Sequence, residues 1–426
     1  MVRFRYILLA VTALLCGSCI YDYYPQGVDV DAETDRSVTL LLHIDTAAPT
    51  RGAASSRELI HSLRIVLVNA ADDTIEHNLF LDGIGSGEGA EKVDYSKIRL
   101  IRTTPGPKKI FLIANEQSTK AVNGDPTQSL TTLLGRKQPG QTGFEELIGS
   151  IWFTPDYADK LLLSSSYEFV IDDDPENRVV EKDFWLVYAA TKFEFTFKNL
   201  RSKPVSIDAL SVSEAAGDMY LMANLDESER TKTYEGESYY WIDWLKMVCD
   251  DTTANPNLPE NTVVNTRYGW ISNYKLPSEV HKPADIRTII VDEYAAWQPD
   301  DADAWKIAPG GSLTLPEVYL PESKYFAEVT SGNSDAGSAN GETEPWDANQ
   351  RYTFSVTLTE QGDALEGNTT KEFPNEALVN VKALFRHTHV KVTVSVESND
   401  DTEIELKLKI GVCPWYTEEI DIPTFD

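Results

Sequence analysis

The sequence predicts an all-β protein built from β-sandwiches. Short stretches rich in β-branched and apolar residues recur along the 426-residue chain, with turn residues between them. Residues 193–199 (FEFTFKN) alternate phenylalanine with polar residues, as in a strand with one buried face. Neither helical heptads nor a repeat of fixed period stands out. Regularly spaced short strands of this kind are typical of β-sandwich domains.

The N-terminus predicts export. Arg3 and Arg5 precede an uncharged apolar stretch, Tyr6–Leu15, which is too short to cross a bilayer and is typical of a secretory signal. Cys19 follows two small residues and resembles the acylated cysteine of a lipobox, so residues 1–18 are predicted to be the signal peptide. Buried acyl chains contribute about 0.8 kcal/mol per CH₂, which is enough for several chains on Cys19 to hold a large domain at a membrane. The alternative is simple secretion with an incidental cysteine.

Composition narrows the class of partners. Hydrophobic residues make up 42% of the chain, enough for packed cores, and the formal net charge is −30. This acidic excess argues against nucleic acid as a partner. Beyond the signal and the anchor only Cys249 and Cys413 remain, too few for a disulfide framework. They either pair in an oxidising compartment or are buried as small hydrophobic side chains.

The first half of the chain predicts one isolated strand and then a set of strands. An acidic tether, residues 21–36, leads into the strand Ser37–Asp45 (SVTLLLHID), and the small polar residues of Thr46–Arg57 predict an exposed, protease-sensitive loop. A helix near Leu130–Leu134 is the only clear one, with a further turn near Phe144–Ile148. The other predicted strands of this half are Leu63–Asn69, Ile75–Leu81, Ile98–Arg102, Lys108–Asn115 and Leu161–Ile171.

A domain boundary is predicted near Tyr188. The N-terminal sandwich then spans 52–188 and the C-terminal sandwich 189–426, with an aromatic, non-periodic insertion at Asp226–Thr266. Further strands are predicted at Val205–Val212, Met219–Met222, Thr288–Val291, Ser312–Tyr319, Arg351–Leu358, Leu378–Phe385, Val390–Val396 and Glu403–Val412.

A search for catalytic or metal-binding patterns predicts a protein that is not an enzyme, with no catalytic residues, cofactor or metal. The glycine-rich run Gly85–Gly89 opens no helix and so lacks the usual phosphate cradle. His387 and His389 would share a face of a strand, but no further ligand has metal-site spacing, which favours a structural role. The acidic stretches Asp172–Asp174 and Asp300–Asp303 are interpreted as solvated turns. The aromatic residues Tyr239–Trp244 would suit a sugar platform, although interior packing is favoured.

The order of parts suggests a mechanism that needs no cofactor. A lipid anchor, a tether and one strand precede Arg51 in the cleavable loop. If that strand belongs to the first sandwich, a cut after Arg51 would leave it held non-covalently. Its loss would expose backbone groups that cost about 1–3 kcal/mol each when buried without partners. A strand from another subunit could then replace it by β-addition.

The sequence resembles the fimbrillins, the major fimbrial subunit (FimA-like) family of type V pilin lipoproteins. The resemblance extends over most of the chain. It rests on the Cys19 lipobox and on APTRG (Ala48–Gly52), GPKKIFLIANE (Gly106–Glu116), VYAATKFEFTFKN (Val187–Asn199), WDANQRYTFSVTL (Trp346–Leu358), FRHTHVKVTVSV (Phe385–Val396) and KIGVCPW (Lys409–Trp415).

The family resemblance implies two tandem transthyretin-like β-sandwich domains, here with a decorated C-terminal domain, on a lipoprotein of the cell outer membrane. It implies cleavage between Arg51 and Gly52 by an Arg-specific protease, which makes residues 19–51 a lipidated propeptide with a removable first strand. The implied partners are other pilin subunits, outer-membrane lipid through Cys19, and a host protein or glycan. The implied function is a structural subunit of a surface fimbria, polymerised by donor-strand exchange, with a role in adhesion or biofilm formation.

Several alternatives stay open at this point. Pro423 in the short C-terminal tail cannot donate to a ladder, so a tip subunit is as open as a stalk subunit. An anchor subunit would keep its first strand, and a monomeric glycan- or host-binding lipoprotein would use the Tyr239–Trp244 region. Arg57 is a second candidate cleavage site beside Arg51.

Overall fold

The computed structural model describes residues 36–46, 56–83, 99–158, 160–250, 271, 273–277, 287–289, 305–324, 353–362, 367–377, 383–398 and 403–415. Strands dominate these residues, which confirms the all-β prediction. In the first half the strands are β1 (Val38–Thr46), β2 (Leu63–Asn69), β3 (Thr74–Leu81), β4 (Arg99–Thr103), β5 (Gly106–Ala114), β6 (Thr119–Val122), β7 (Trp152–Pro155), β8 (Leu163–Ile171) and β9 (Val179–Tyr188).

The second half continues this strand-rich pattern. Its strands are β10 (Thr191–Asn199), β11 (Val205–Ala215), β12 (Met219–Tyr220), β13 (Thr231–Tyr234), β14 (Glu237–Tyr240), β15 (Arg287–Ile289), β16 (Lys306–Ile307), β17 (Ser312–Thr314), β18 (Val318–Leu320), β19 (Ser323–Lys324), β20 (Thr353–Glu360), β21 (Thr369–Ala377), β22 (Ala383–Leu384), β23 (Thr388–Ser398) and β24 (Ile404–Pro414). The described helices are α1 (Leu130–Gly135), α2 (Phe144–Ser150) and α3 (Trp241–Asp250), with short 3₁₀ helices at Ser56–Glu58 and Glu227–Glu229.

The first half is organised by a seven-stranded sheet in the order β3-β2-β5-β8-β9-β1-β4. β1 runs parallel to β9, and the other neighbours in this order are antiparallel. The strands β2 and β5 are buried on both faces, which explains their nearly continuous apolar sequences LRIVLVN and GPKKIFLIA.

Two hydrophobic cores cover the two faces of this sheet. The first contains Leu40, Leu42, Ile65 and Leu112, together with later side chains that include Trp244. The second contains the opposite-facing residues of β2 and β5, packed beneath α1, α2 and the small sheet β12-β7-β6. Alternate side chains of the central strands therefore serve different cores, as the pleat of a strand requires.

The second half contains two further sheets around a third core. One sheet has the order β17-β10-β23-β24, with β18 also on β10, and the other has the order β15-β11-β20-β21, with β16 also on β11. The phenylalanines at 193, 195 and 197 are buried in this core, which confirms the alternation predicted for β10. Two sheets enclosing one apolar core correspond to the predicted sandwich architecture.

Several elements differ from the sequence prediction. The predicted non-periodic insertion contains the hairpin β13–β14 and the ten-residue helix α3, so Leu130–Leu134 is not the only clear helix. The apolar positions of α3 recur at helical spacing, but its tryptophans also suit strands, which hid the pattern. The strand β21 (TTKEFPNEA) was missed because it contains Pro374; it lies at an edge of its sheet, where proline is tolerated.

Two predicted boundaries are also corrected. The strand predicted at Lys108–Asn115 begins two residues earlier, as β5 at Gly106, whose φ of +117° favours a residue without Cβ. The strand expected over Leu378–Phe385 is described only as β22, since residues 378–382 lie outside the described part. None of the described helices is long and apolar enough to span a membrane.

Candidate functional site

The strand β1 lies inside the seven-stranded sheet rather than at its edge. Thr39–Thr46 pair in parallel with Val179–Leu186 of β9, and Val38–Leu42 pair antiparallel with Arg99–Thr103 of β4. The predicted strand Ser37–Asp45 is thereby confirmed to within one residue.

Alternate side chains of β1 are buried, and Leu40, Leu42 and Ile44 belong to the first core. Val38, Leu40 and Leu42 have no exposed surface, and Ile44 is 3% exposed. Burying such a side chain contributes about 1.5–3 kcal/mol, so β1 supplies a sizeable share of that core. Removing β1 would open an apolar groove bounded by the backbone edges of β9 and β4.

The segment just after the predicted cleavage loop is firmly packed. Residues 47–55 lie outside the described part, and the 3₁₀ helix Ser56–Glu58 follows them. The carbonyl oxygen of Arg57 accepts a hydrogen bond from the Leu161 amide at 2.8 Å. Glu58 is 3% exposed. Arg57 and Glu58 are therefore part of the folded body.

Glu58 belongs to a buried ionic cluster. Its Oε1 lies 3.1 Å from Lys192 Nζ and accepts a hydrogen bond of 3.0 Å from the Tyr319 hydroxyl. Lys192 also pairs with Glu317 at 2.5 Å, and the Glu58 carbonyl oxygen accepts a hydrogen bond from the Tyr188 hydroxyl. This cluster fixes the first residues after the loop to β9, β10 and β18.

Burial and charge oppose each other in this cluster. Burial raises the pKa of the Glu58 carboxyl, and the nearby Lys192 ammonium offsets only part of that increase. Burial lowers the pKa of Lys192, but the carboxylates of Glu58 and Glu317 outweigh burial and raise it above its ordinary value. An ammonium held between two carboxylates stays charged, which is the condition for a stable buried ion pair.

The last described residue packs on the same cluster. The Trp415 ring stacks on Tyr188 and Tyr319 with centroid distances of 4.6 and 5.5 Å, and Lys192 Nζ lies 5.5 Å from its centroid. The Trp415 amide donates to the carbonyl oxygen of His387 at 3.0 Å. Trp415 therefore lies against the same side chains that hold Glu58.

The two histidines lie in the protein interior, His387 directly before β23 and His389 within it. His387 and His389 are both buried, and His387 Nδ1 accepts a hydrogen bond from the Tyr188 amide at 3.2 Å. Burial lowers the pKa of His387 to about 3 and also lowers that of His389. Within the described part of the chain, no group of three His, Cys, Asp or Glu side chains is placed to hold a metal ion.

The aromatic insertion packs inward. Trp244 has no exposed surface and Trp241 is 4% exposed, both within the first core. The Tyr240 hydroxyl donates to the carbonyl oxygen of Ser166 at 2.7 Å. This confirms interior packing for both tryptophans, so neither offers a ring face to a sugar.

Several residues that the sequence analysis singled out lie outside the described part of the chain. Cys19, Arg51 and Gly52 lie outside the described residues, as do the runs Gly85–Gly89 and Asp300–Asp303. Cys249 lies in α3, and Cys413 lies in β24. Asp172–Asp174 form the exposed turn that the sequence predicted.

Sequence reasoning missed the cluster around Glu58. A lysine within the otherwise apolar run VYAATKFEF is the one signal that pointed to it, since a buried lysine requires an anionic partner. Its partners come from positions 58, 317 and 319, whose proximity only the fold reveals.

The chain is similar in fold to solved structures of fimbrial and cell adhesion proteins. The tip fimbrial protein Mfa3 from Porphyromonas gingivalis matches with 11% identity, over 89% of this chain and all of that one, with a TM-score of 0.39. A fimbrial assembly protein from Parabacteroides distasonis matches with 9% identity, 89% and 100% coverage, and a TM-score of 0.35. A candidate cell adhesion protein from the same species matches with 10% identity, over 89% of this chain and 98% of that one, with a TM-score of 0.42.

The other two comparisons give no match: no family model and no curated protein matches the chain. Similarity at this identity and TM-score carries no shared activity, so the function of this chain has to be argued from its own residues.

Proposed function

We propose that this chain is a structural subunit, stalk or tip, of a cell-surface fimbria. It is exported as a lipoprotein acylated at Cys19 and held at the outer membrane. An Arg-specific protease cuts between Arg51 and Gly52, β1 leaves with the propeptide, and a strand from another subunit takes its place. Assembled in this way, the subunits serve adhesion or biofilm formation.

One observation carries the proposal: β1, the first of the described strands, is an interior strand of its sheet. After a cut in residues 47–55, β1 would be held non-covalently, by contacts that include its ladder hydrogen bonds and its buried side chains. The vacated groove would present the backbone edges of β9 and β4. It would also present the space left by four apolar side chains of β1, which are spaced two residues apart. Those are the requirements for capture of a strand from a second copy.

The C-terminal tail is the proposed donor strand. Residues 416–426 (YTEEIDIPTFD) follow directly on β24 and carry Ile420 and Ile422 at the two-residue spacing that one face of a strand requires. The residue before them, Trp415, is held in place by its stacking on Tyr188 and Tyr319. A fixed starting point lowers the entropy cost of presenting the tail to a neighbouring subunit.

The packing of Arg57 supports Arg51 as the cleavage site. The Arg57 carbonyl oxygen is hydrogen-bonded to Leu161, and Glu58, on the other side of the peptide bond, is buried and paired with Lys192. Proteases require an extended, accessible segment, so a cut after Arg57 would first have to unfold this helix. Arg51 lies in a run of small and polar residues (APTRGAAS), a composition typical of segments that proteases cut.

The test is the N-terminal sequence and intact mass of the protein recovered from sheared surface fibres. A chain that begins at Gly52 is the expected result. The substitution Arg51→Ala should abolish both this N-terminus and fibre incorporation. Arg57→Ala is the matched control and should leave both unchanged.

Two outcomes contradict the proposal. A chain in the fibre that still begins at acylated Cys19 would indicate an anchor subunit with its first strand retained. A mature chain that is cut after Arg51 but stays monomeric would indicate a binding lipoprotein without strand exchange.

A further inference from the structure

The strand β4 depends on β1 more than any other strand of the sheet. It is the last strand in the order β9-β1-β4, and among the described strands it pairs with β1 alone. Of its two aliphatic residues, Ile101 is buried in the first core and Leu100 is 66% exposed. If β1 leaves, β4 loses its whole backbone ladder and keeps one apolar anchor.

A polar cluster joins β4 to β3, the strand at the opposite end of the sheet order. The Thr103 hydroxyl donates to Glu76 Oε2, and the Thr104 hydroxyl donates to Glu76 Oε1 at 3.0 Å. His77 Nε2–H donates to the carbonyl oxygen of Arg102 at 2.6 Å. The two ends of the sheet are thus tied together without using β1.

A buried charge anchors this β3–β4 cluster. Lys108 Nζ forms an ion pair with Glu76 and donates to Thr104 Oγ1 at 2.9 Å. The Lys108 side chain has no exposed surface, and that of Glu76 is 16% exposed. A buried ammonium is costly to separate from its acceptors, so the cluster resists opening.

The β3–β4 cluster lies at the end of β4 that is joined to β5, and it therefore fixes how β4 is oriented relative to the sheet. Only Thr104 and Pro105 connect β4 to β5, which stays in the sheet through β2 and β8. The hydroxyls of residues 103 and 104 therefore act at the hinge about which a released β4 would swing. Fixing that hinge fixes the edge that faces β9 across the groove.

We propose that the β3–β4 cluster keeps β4 in place after β1 is removed, so that the groove retains both walls and accepts the strand of a second copy. Glu76, Thr103 and Thr104 are positioning residues for this exchange. The inference rests on the proposed function. An incoming strand that met β9 alone would lose the pairing that Val38–Leu42 make with β4.

The test uses the full chain with a site-specific protease sequence inserted between Thr50 and Arg51, so that cutting does not depend on Arg51. A fluorescent peptide with the sequence of residues 37–46 (SVTLLLHIDT) is added in excess to the cut protein. Its uptake is measured by anisotropy. Hydrogen exchange of residues 99–103 is followed before and after cutting.

The variant T103V/T104V removes both hydroxyls but leaves the Lys108–Glu76 ion pair intact. Its Kd for the peptide should rise at least tenfold, which corresponds to about 1.4 kcal/mol. Residues 99–103 should exchange faster in this variant only after cutting. T103S/T104S keeps the hydroxyls and should restore wild-type affinity.

The matched control is T196V/T314V. It removes a pair of threonine hydroxyls 2.8 Å apart on β10 and β17, away from the groove, and should bind the peptide like wild type. If T103V/T104V does not fold, His77→Phe is used in its place. This variant removes only the hydrogen bond to the Arg102 carbonyl oxygen, and it should also raise the Kd for the peptide.

The outcomes separate the inference from the proposed function. Suppose that wild type takes up the peptide normally. If T103V/T104V, or its substitute His77→Phe, then binds the peptide as tightly as T196V/T314V does, the inference alone is overturned. A cut wild-type protein that takes up no peptide would overturn the strand-exchange function, and the inference with it.

Discussion

His387 shows how a single buried residue makes the fold sensitive to acid. It directly precedes β23 with a φ of +65°, and its ring lies against those of Tyr188 and Trp415 at centroid distances of 5.5 and 6.0 Å. Its Nδ1 accepts from a backbone amide, so the folded state uses the neutral ring. Asparagine tolerates positive φ and offers an acceptor, which makes His387→Asn the informative variant.

We predict that His387 contributes to stability at neutral pH and that this contribution is lost as the pH falls. The unfolded imidazole takes up a proton below about pH 6.5, whereas burial holds the folded pKa at about 3. The unfolded state thus binds more protons in this window, and stability falls with pH. Between pH 6.5 and pH 4 the loss is about 3 kcal/mol.

Urea unfolding at pH 7 and pH 4 checks this prediction. His387→Asn should be less stable than wild type at pH 7 because stacking is lost, and its stability should decline less between the two pH values. The prediction is wrong if wild type and variant show the same pH dependence.

The element that matters most is β1, whose two faces have different environments. Leu42 has no exposed surface, while Leu41 faces outward and is half-buried. Leu42→Ala should destabilise the uncut chain by about 2–5 kcal/mol, because it leaves a cavity in the first core. Leu41→Ala should cost less than about 1.5 kcal/mol.

Chemical denaturation of the uncut proteins measures the difference between these two variants. After cutting in the loop, the same order should appear in the rate at which β1 dissociates. Equal effects of the two substitutions would contradict the register in which residues 38, 40, 42 and 44 face the core.

At the scale of the molecule, one buried arginine, held in an ion pair, links the two halves. Arg386 pairs with Glu322, and its guanidinium also donates to the carbonyl oxygens of Tyr220 and Leu221 and to the Ser164 hydroxyl. Arg386 is fully buried and Glu322 is 1% exposed. One side chain thus links segments more than 200 residues apart.

Breaking this pair should be far more costly than replacing it. Glu322→Gln leaves a buried guanidinium without a counter-charge and should destabilise the protein by about 3–5 kcal/mol. Glu168→Gln, at an ion pair whose carboxylate is 65% exposed, is the control and should cost no more than about 1 kcal/mol.

A double variant separates the pair from the rest of the packing. Replacing Glu322 by Leu together with Arg386 by Met should recover a large part of the loss seen for Glu322→Gln, because no unpaired charge remains. Urea unfolding of the three variants decides this, and a double variant as unstable as the single one would refute it.

The division of the chain at residue 188 stays a prediction. The first core combines strands from the predicted N-terminal domain with Trp241, Tyr319, Phe385 and Trp415 from the predicted C-terminal domain. We propose that the two sandwiches fold as coupled units that share this core. Sequence signals at a boundary record a change of strand pattern, and they do not show which cores the later side chains join.

Local patterns in the sequence determined the strand content, the strand β1, the alternation in β10 and the interior packing of Trp241 and Trp244. These features depend on the spacing of apolar residues and on turn chemistry, which act over a few neighbouring positions. Only the tertiary structure decided that β1 lies inside its sheet, that Lys192 meets Glu58, and that Glu76 ties β3 to β4. Each of these is a long-range pairing, and one strand sequence fits many partners until the whole sheet order is fixed.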